Sequence, residues 1–154
     1  MPSARNHTGS RRPRPNIAVR PGDAPDLEAA LAERIYEFNA AATGYHDGES
    51  FSAALHDAAG TLEAGATGYT WGGCCYVAYL WVTGALRRQG TGTALMEAIE
   101  RHARDKGCRV VFLATHSFQA PEFYERRGYR KLATVTDHPV GYASFHYAKA
   151  LAPV

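Results

Sequence analysis

The sequence predicts an α/β protein with a single domain. Its 154 residues are 45% hydrophobic, which suffices for one hydrophobic core and is too little for two domains of ordinary size. Two strongly apolar segments, Cys74–Val82 and Arg109–Thr115, indicate buried strands. Between them, apolar residues at helical spacing predict a helix over Thr93–Lys106. Strands and helices that alternate in this way are typical of mixed α/β folds.

A polar segment precedes the first predicted helix and strand. Residues 1–15 are rich in arginine, proline and serine, so we expect a disordered basic tail, followed by one domain over residues 16–154. Ile17–Arg20 is predicted to be a short strand. Apolar residues at helical spacing then predict a helix over Asp26–Ala42, which ends at Thr43-Gly44.

Three strands are predicted in the middle of the chain. Phe51–His56 and Leu62–Trp71 are rich in strand-forming residues, and Ala58-Ala59-Gly60 supplies the turn between them. Cys74–Val82 follows after Gly72-Gly73 and is apolar at nearly every position. That pattern predicts a central strand covered on both faces.

The best-defined helix is Thr93–Lys106. Its predicted buried stripe comprises Leu95, Met96, Ile99 and Ala103, and Gly107 ends it. The remaining predicted elements are the strand Arg109–Thr115, a short helix Ala120–Arg127 with Pro121 in its first turn, and strands near Tyr129–Thr136 and Tyr142–Leu151.

Charge is distributed unevenly along the chain. Residues 16–86 contain nine acidic and two basic residues, whereas residues 87–130 contain nine basic and five acidic residues. This division suggests one side suited to a cationic ligand and another suited to an anionic one, although solvated helix faces explain it equally well.

The chain carries no clear signal for secretion, membrane insertion, metal binding or nucleic-acid binding. The N-terminus lacks the apolar segment of a secretory signal, and no apolar run approaches the length of a membrane span. Three cysteines without metal-binding spacing favour a reduced, cytoplasmic setting and no metal site. Nucleic-acid binding would depend on the arginine-rich tail alone, which supports only weak, nonspecific contact.

A basic, glycine-rich turn precedes the helix at Thr93. Gly90 and Gly92 leave backbone N–H groups accessible at a helix N-terminus, where anions bind, and Arg87 and Arg88 add positive charge. The turn matches neither a Walker loop, which needs a lysine, nor a dinucleotide fingerprint, since the third glycine is replaced by Leu95. Taken alone, it could be an ordinary tight turn.

The wider context resembles the GNAT superfamily of N-acetyltransferases. Arg87-Arg88-Gln89-Gly90-Thr91-Gly92 fits the family's Arg/Gln-x-x-Gly-x-Gly/Ala pattern, and the segment APEFYERRGY is similar to its Phe-Tyr…Gly-Tyr segment. The resemblance implies a GNAT fold: a central mixed, mostly antiparallel twisted sheet of about six to seven strands, flanked by three to four helices. It also implies acetyl-CoA as co-substrate and, as general acid, Tyr124. The residues implied to bind acetyl-CoA are Leu80, Trp81, Val82, Arg87, Arg88, Gln89, Gly90, Thr91, Gly92 and Thr93.

The general base is open at this point. Many family members carry a glutamate on the central strand, and CCYVAYLWV has none. His116, Glu49, Asp47 and a chain of water molecules are the alternatives. Cys75 could in principle form an acetyl-enzyme, but its apolar surroundings favour a structural cysteine.

The predicted acceptor is a small cationic amine. Candidate substrate-binding residues are Glu37, Asp47, Glu49, Trp71 and Tyr76. The strings YEFNAAATG, TWGGCC, LWV and THSFQAPEFY also resemble the aminoglycoside 2'-N-acetyltransferases that inactivate kasugamycin, which implies an aminosugar antibiotic and resistance. The alternatives are a protein, peptide or polyamine N-acetyltransferase and a non-catalytic acyl-CoA-binding module. A homodimer is also allowed.

Overall fold

The computed structural model describes residues 16–152, and the segment 1–15 expected to be a tail lies outside the described residues. The chain divides into two compact units, one ending at Glu37 and the other beginning at Phe38. The first helix, α1, spans Pro25–Thr43, close to its predicted range.

The predicted strand at Ile17–Arg20 is wrong. Residues 16–20 adopt no regular structure, and the side chains of Ile17 and Val19 are 80% and 96% exposed. A strand needs a neighbour to satisfy its backbone N–H and C=O groups, and no strand in the described chain pairs with this segment.

The second unit contains the sheet and two further helices. In chain order its elements are β1 (Glu49–His56), β2 (Leu62–Trp71), β3 (Cys74–Val82), α2 (Thr91–Asp105), β4 (Val110–His116), α3 (Pro121–Arg126), β5 (Arg130–Thr136) and β6 (Ala143–Ala150), with a short 3₁₀ turn at Gly84–Leu86. The described strands form one six-stranded sheet in the order β1-β2-β3-β4-β6-β5. Only β3 and β4 pair in parallel, so the predicted mixed, mostly antiparallel sheet is confirmed.

The hydrophobic core lies between α2 and one face of the sheet. Met96, Ile99 and Ala103 of α2 are almost fully buried, as the helical stripe predicts. They belong to one cluster with residues of β3 and β4, including Cys75 and Val111. Burial of this stripe fixes α2 across the central strands, which places its N-terminus beside the end of β3.

The expectation that β3 is covered on both faces is wrong. Cys75 and Val77 face the core, whereas Tyr76 is half-buried and Ala78 and Tyr79 are exposed. The apolar sequence of β3 therefore does not reflect burial of every side chain. Its second half borders an open cleft instead.

Candidate active site

The cleft forms because β3 and β4 separate halfway along their length. Their parallel pairing runs only from Cys74–Val110 to Val77–Leu113. Beyond these pairs β3 continues to Val82 and β4 to His116. The edge of β3 that faces β4 therefore carries unpaired backbone groups, and a cleft of about 1200 Å³ opens between the strands. Unpaired N–H and C=O groups of this kind can bind an extended ligand that contains amides.

A β-bulge lies where the two strands begin to separate. In the β2–β3 pairing, Thr67 faces Tyr79 and Gly68 faces Val77, so Ala78 is an extra residue without a partner on β2. A bulge bends the strand and redirects its backbone. Ala78 and its neighbours line the cleft, so the bulge controls which backbone groups of β3 point into it.

The glycine turn forms the second wall of the cleft. Gly90 has φ of 88°, a left-handed conformation that suits glycine, and it caps the start of α2. A Cβ at Gly92 would lie 3.4 Å from Cζ of Phe123, so the first turn of α2 passes close to α3. The unpaired N–H groups of this turn give α2 a positive N-terminal end suited to an anion.

The two arginines of the turn have different roles. Arg87 donates a hydrogen bond from Nε to the carbonyl oxygen of Val82, at 3.0 Å, and so ties the turn to the end of β3. Arg88 is exposed and has φ of 62°, a conformation that is uncommon for a residue with a side chain. Both line the cleft.

Eight of the ten residues expected to bind acetyl-CoA line the cleft. They are Leu80, Trp81, Val82, Arg87, Arg88, Gly90, Gly92 and Thr93. Gln89 and Thr91 are not among the lining residues. The side-chain amide of Gln89 instead donates to the carbonyl oxygen of Ala85, which stabilises the turn.

Tyr124 stands out within a cluster of three buried tyrosines. Its ring lies 5.9 Å from that of Tyr129 and 6.3 Å from that of Tyr147. The hydroxyl of Tyr129 donates to Glu100, and that of Tyr147 donates to Glu125. Tyr124 lines the cleft, and burial raises the pKa of its phenol above the ordinary value. Of the three, Tyr124 alone is among the residues that line the cleft.

A buried carboxylate joins α2 to α3 and the end of the sheet. Glu100 is only 4% exposed and accepts a hydrogen bond of 2.8 Å from Lys149. Arg104 and Arg127 approach the same carboxylate at 3.7 and 3.8 Å. Three cations around one carboxylate leave a local surplus of positive charge, and Arg127 also lines the cleft. The motif APEFYERRGY contains Arg127, but its role depends on contact with α2, which sequence spacing does not show.

His116 is the last residue of β4 and is not among the residues that line the cleft, although its neighbour Thr115 is. Its Nδ1 is 3.0 Å from the carbonyl oxygen of His138. Because a carbonyl oxygen can only accept, this contact makes Nδ1 the donor of the neutral ring and leaves the Nε2 lone pair free. His116 follows Phe112 and Ala114 on the face of β4 opposite Leu113. Tyr147, which packs on Tyr124, pairs with Leu113. His116 and Tyr124 therefore lie on opposite faces of the sheet.

The structure does not bring the acidic acceptor candidates to this cleft. Asp47, Glu49 and Trp71 line a separate pocket of about 310 Å³ at the other end of β3. Asp47 accepts a hydrogen bond from the backbone N–H of Gly72, and Trp71 donates to the carbonyl oxygen of Tyr45. Each of these contacts holds the β2–β3 turn.

The remaining candidates have local partners. Glu49 pairs with Lys106, and this pairing lowers the pKa of the Glu49 carboxyl, which makes it a weaker base. Tyr76 packs between Tyr69 and Phe112 on the sheet face that α2 leaves open. Glu37 belongs to the first unit, where it lies 3.8 Å from Arg34.

Cys75 is unsuited to nucleophilic attack. Its side chain is fully buried, and burial raises the pKa of the thiol to about 12. The thiol is therefore protonated at neutral pH, and its reactive thiolate form is scarce. In residues 16–152, no three histidine, cysteine or acidic side chains gather as metal ligands, and no helix is long and apolar enough to cross a membrane.

Comparison with known proteins decides the family. The model of the Acetyltransferase (GNAT) family matches residues 16–129. The chain belongs to the GNAT family. It is therefore an acetyl-CoA-dependent N-acetyltransferase, and the open β3–β4 cleft with its glycine turn fits acetyl-CoA.

Similar proteins support this assignment over most of the chain. A blasticidin-S acetyltransferase of Streptomyces morookaense is 38% identical over 93 residues, which cover 60% of this chain and 68% of that protein. The acetyltransferase Atu2258 of Agrobacterium fabrum is 30% identical over 73% of this chain and 84% of its own length. The crystal structure of an acetyltransferase from Bacillus cereus matches with a TM-score of 0.73 and 30% identity, covering 88% of this chain and 98% of that one.

Arg88 allows a test of the glycine turn that leaves the fold intact. In Arg88→Gly, loss of the strain that a side chain has in the left-handed conformation should raise the free energy of unfolding by about 1–3 kcal/mol. The greater freedom of glycine in the unfolded chain should lower it by about 0.4–1 kcal/mol. We expect Tm to be unchanged or slightly raised. The affinity for acetyl-CoA should fall roughly tenfold, because a charge-assisted contact is lost. Calorimetry measures both quantities.

A matched control for this variant is Arg101→Ala. Arg101 is an exposed residue of α2 outside the cleft, so its loss removes the same charge without the contact. An equal loss of affinity in both variants would mean that the turn acts only through net charge.

Proposed function

We propose that this GNAT protein acetylates the amine of a small-molecule antibiotic, and so confers resistance to it. The observation that carries the proposal is the cleft between β3 and β4, which places Tyr124, the bulge at Ala78 and the glycine turn around one space. The substrate class is supported by the similarity to a blasticidin-S acetyltransferase. Blasticidin S is therefore the first compound to test, and an aminosugar such as kasugamycin is the second.

The cleft residues supply positioning, electrostatics and proton transfer. Acetyl-CoA provides the acetyl group as a reactive thioester. Backbone N–H groups of β3 near the Ala78 bulge would stabilise negative charge on the carbonyl oxygen as the amine attacks. The N-terminal turn of α2, with Arg87 and Arg88, would bind the phosphates. Tyr124 would donate its phenolic proton to the departing sulfur.

We propose His116 as the base, because it directly follows Thr115, which lines the cleft. Its Nδ1 is committed to the carbonyl oxygen of His138, so Nε2 can accept a proton from the attacking amine. An alkyl amine with a pKa of about 10 is almost fully protonated at neutral pH, so its deprotonation needs an acceptor. Glu49 and Asp47 lie in the separate pocket and cannot serve without a long chain of water molecules.

Charge argues against a polyamine acceptor. The residues that line the cleft include four arginines and a single acidic residue, Glu122. Arg87 and Arg88 would be occupied by the phosphates of acetyl-CoA, but the lining offers no cluster of carboxylates that would attract a polycation. A protein or peptide acceptor is the alternative, and a non-catalytic acyl-CoA-binding module is disfavoured by the position of Tyr124 at the cleft.

The test is an acceptor panel with acetyl-CoA, measured by thiol release and product mass. We expect acetylation of blasticidin S, or failing that of kasugamycin, with kcat/KM well above that for spermidine and for a peptide N-terminus. In the same assay His116→Asn should lower kcat, because asparagine keeps the donor to His138 and removes the free nitrogen. Efficient acetylation of the peptide and of no antibiotic would replace this function with the alternative.

A further inference from the structure

An exposed aromatic cluster adjoins the mouth of the cleft. It consists of His116 and Phe118, from the end of β4 and the loop after it, and His138 and Tyr142, from the β5–β6 turn; we call it the aromatic rim. The rings of His116 and Phe118 are stacked, with centroids 5.2 Å apart and planes 7° apart. Phe118 meets Tyr142 edge-on, with centroids at 5.0 Å and planes at 78°.

The rim is open to solvent and continuous with the cleft. Phe118 and Tyr142 are each 54% exposed, and their rings touch, so they form a contiguous aromatic patch at the surface. Contiguous exposed apolar patches often mark binding sites. Phe118 is also one of the residues that line the cleft. The two exposed rings form a corner in which a flat ring can stack on one member and touch the edge of the other.

The backbone holds both segments of the rim in place. Ser117 donates its N–H to the carbonyl oxygen of Ala143, and its hydroxyl oxygen accepts from the N–H of Ala143. In the β5–β6 turn, Asp137 accepts a hydrogen bond from the backbone N–H of Gly141, and the backbone N–H of Tyr142 donates to the carbonyl oxygen of Pro139. The rings are therefore preorganised, which lowers the entropy cost of binding.

The charges of the site favour stacking as the means of recognition. The acidic candidates Asp47 and Glu49 lie in the separate pocket, and Asp137 is engaged by the backbone of its own turn. The cleft itself is predominantly basic. An acceptor cannot depend on a wall of carboxylates here, whereas aromatic faces can hold an unsaturated ring irrespective of charge.

We infer that the aromatic rim binds a flat, unsaturated ring of the acceptor while the amine of the same molecule reaches the cleft. This inference rests on the proposed function, since it names the class of acceptor. It identifies an amine that carries an aromatic or heteroaromatic ring, rather than one built only of saturated sugar rings.

Binding of two matched amines tests the rim. 2-Phenylethylamine and 2-cyclohexylethylamine carry the same two-carbon amine and differ in whether the six-membered ring is flat. With the protein saturated with CoA, ligand-observed NMR titration should show roughly three- to tenfold tighter binding of the phenyl compound. The double variant Phe118→Leu, Tyr142→Leu should bind the two compounds equally, with Tm checked to establish folding.

The control is Leu132→Ala, an exposed apolar side chain of β5 outside the rim, which should keep the preference. Equal binding of both amines by the wild type, or a preference retained in the double variant, would overturn the inference. A dimer seen by sedimentation for the wild type but not for the double variant would also overturn the inference, because a second copy of the chain would then cover the rim. This experiment measures binding and not acetylation, so the two proposals can fail separately. If the protein prefers the phenyl compound but acetylates no antibiotic, the proposed function is wrong and the inference about the rim stands. If it acetylates an antibiotic but binds the two amines equally, the inference about the rim is wrong and the proposed function stands.

Discussion

Tyr124→Phe should lower kcat by on the order of 100-fold or more while leaving the affinity for acetyl-CoA and the fold unchanged. The phenylalanine ring keeps the edge-on contacts that Tyr124 makes with Phe123 and Tyr129. Only the hydroxyl is lost, and with it the proposed proton donor to the departing sulfur. Steady-state kinetics and calorimetry with acetyl-CoA separate these two effects.

The proposed role of Tyr124 also predicts how kcat depends on pH. Burial raises the pKa of Tyr124 above its ordinary value, so the phenol holds its proton throughout the neutral range. On the alkaline side of the pH profile, kcat should therefore fall only above about pH 10, the ordinary pKa of tyrosine, where the phenol loses its proton. The Tyr124→Phe variant should lack this alkaline fall in kcat.

Tyr147→Phe is the matched control for Tyr124. The hydroxyl of Tyr147 donates to Glu125 at 2.6 Å, and Tyr147 is not among the residues that line the cleft. Its loss should reduce stability by about 1 kcal/mol and leave kcat unaltered. If Tyr124→Phe turns over as fast as the wild type under conditions where chemistry limits the rate, Tyr124 is a packing residue and the acid lies elsewhere.

Local patterns were sufficient to predict most of the elements. The helical spacing of Leu95, Met96 and Ile99 identified α2, and the apolar run of β3 was placed at its observed bounds. Both depend on short-range periodicity, which the sequence shows directly. Ile17–Arg20 failed because four extended residues form a strand only if a neighbour is present, and the sequence does not show that neighbour.

The site was only partly predictable, because its geometry depends on pairing between distant residues. The glycine turn and Tyr124 each belong to a local motif, and residues of both motifs line the cleft. The bulge at Ala78 arises from the register between β2 and β3, which no local motif specifies. The register between β1 and β2, in which Glu49 faces Thr70, places Asp47 and Glu49 at the far end of β3, although their charge suggested the acceptor site.

Gly68 is the residue of β2 on which the bulge depends most directly. It pairs with Val77, just before the unpaired Ala78. A Cβ built on Gly68 would lie 2.0 Å from the carbonyl oxygen of Tyr76 and 2.6 Å from Cζ of Phe51. The phenyl ring of Phe51 could turn aside, but the carbonyl belongs to the backbone of β3 and can move only if the strand moves.

Gly68→Ala should therefore reduce both stability and activity. Overpacking of this kind costs about 3 kcal/mol, which corresponds to a fall in Tm of roughly 10 °C for a chain of this size. Because β3 must shift at the bulge, kcat should also fall at temperatures where the variant is still folded. Gly84→Ala is the control, since a Cβ there meets nothing within 4 Å and no left-handed conformation is needed, so its Tm should match the wild type. If Gly68→Ala melts lower but keeps full kcat, the bulge is a structural accommodation and does not orient the groups that bind the thioester.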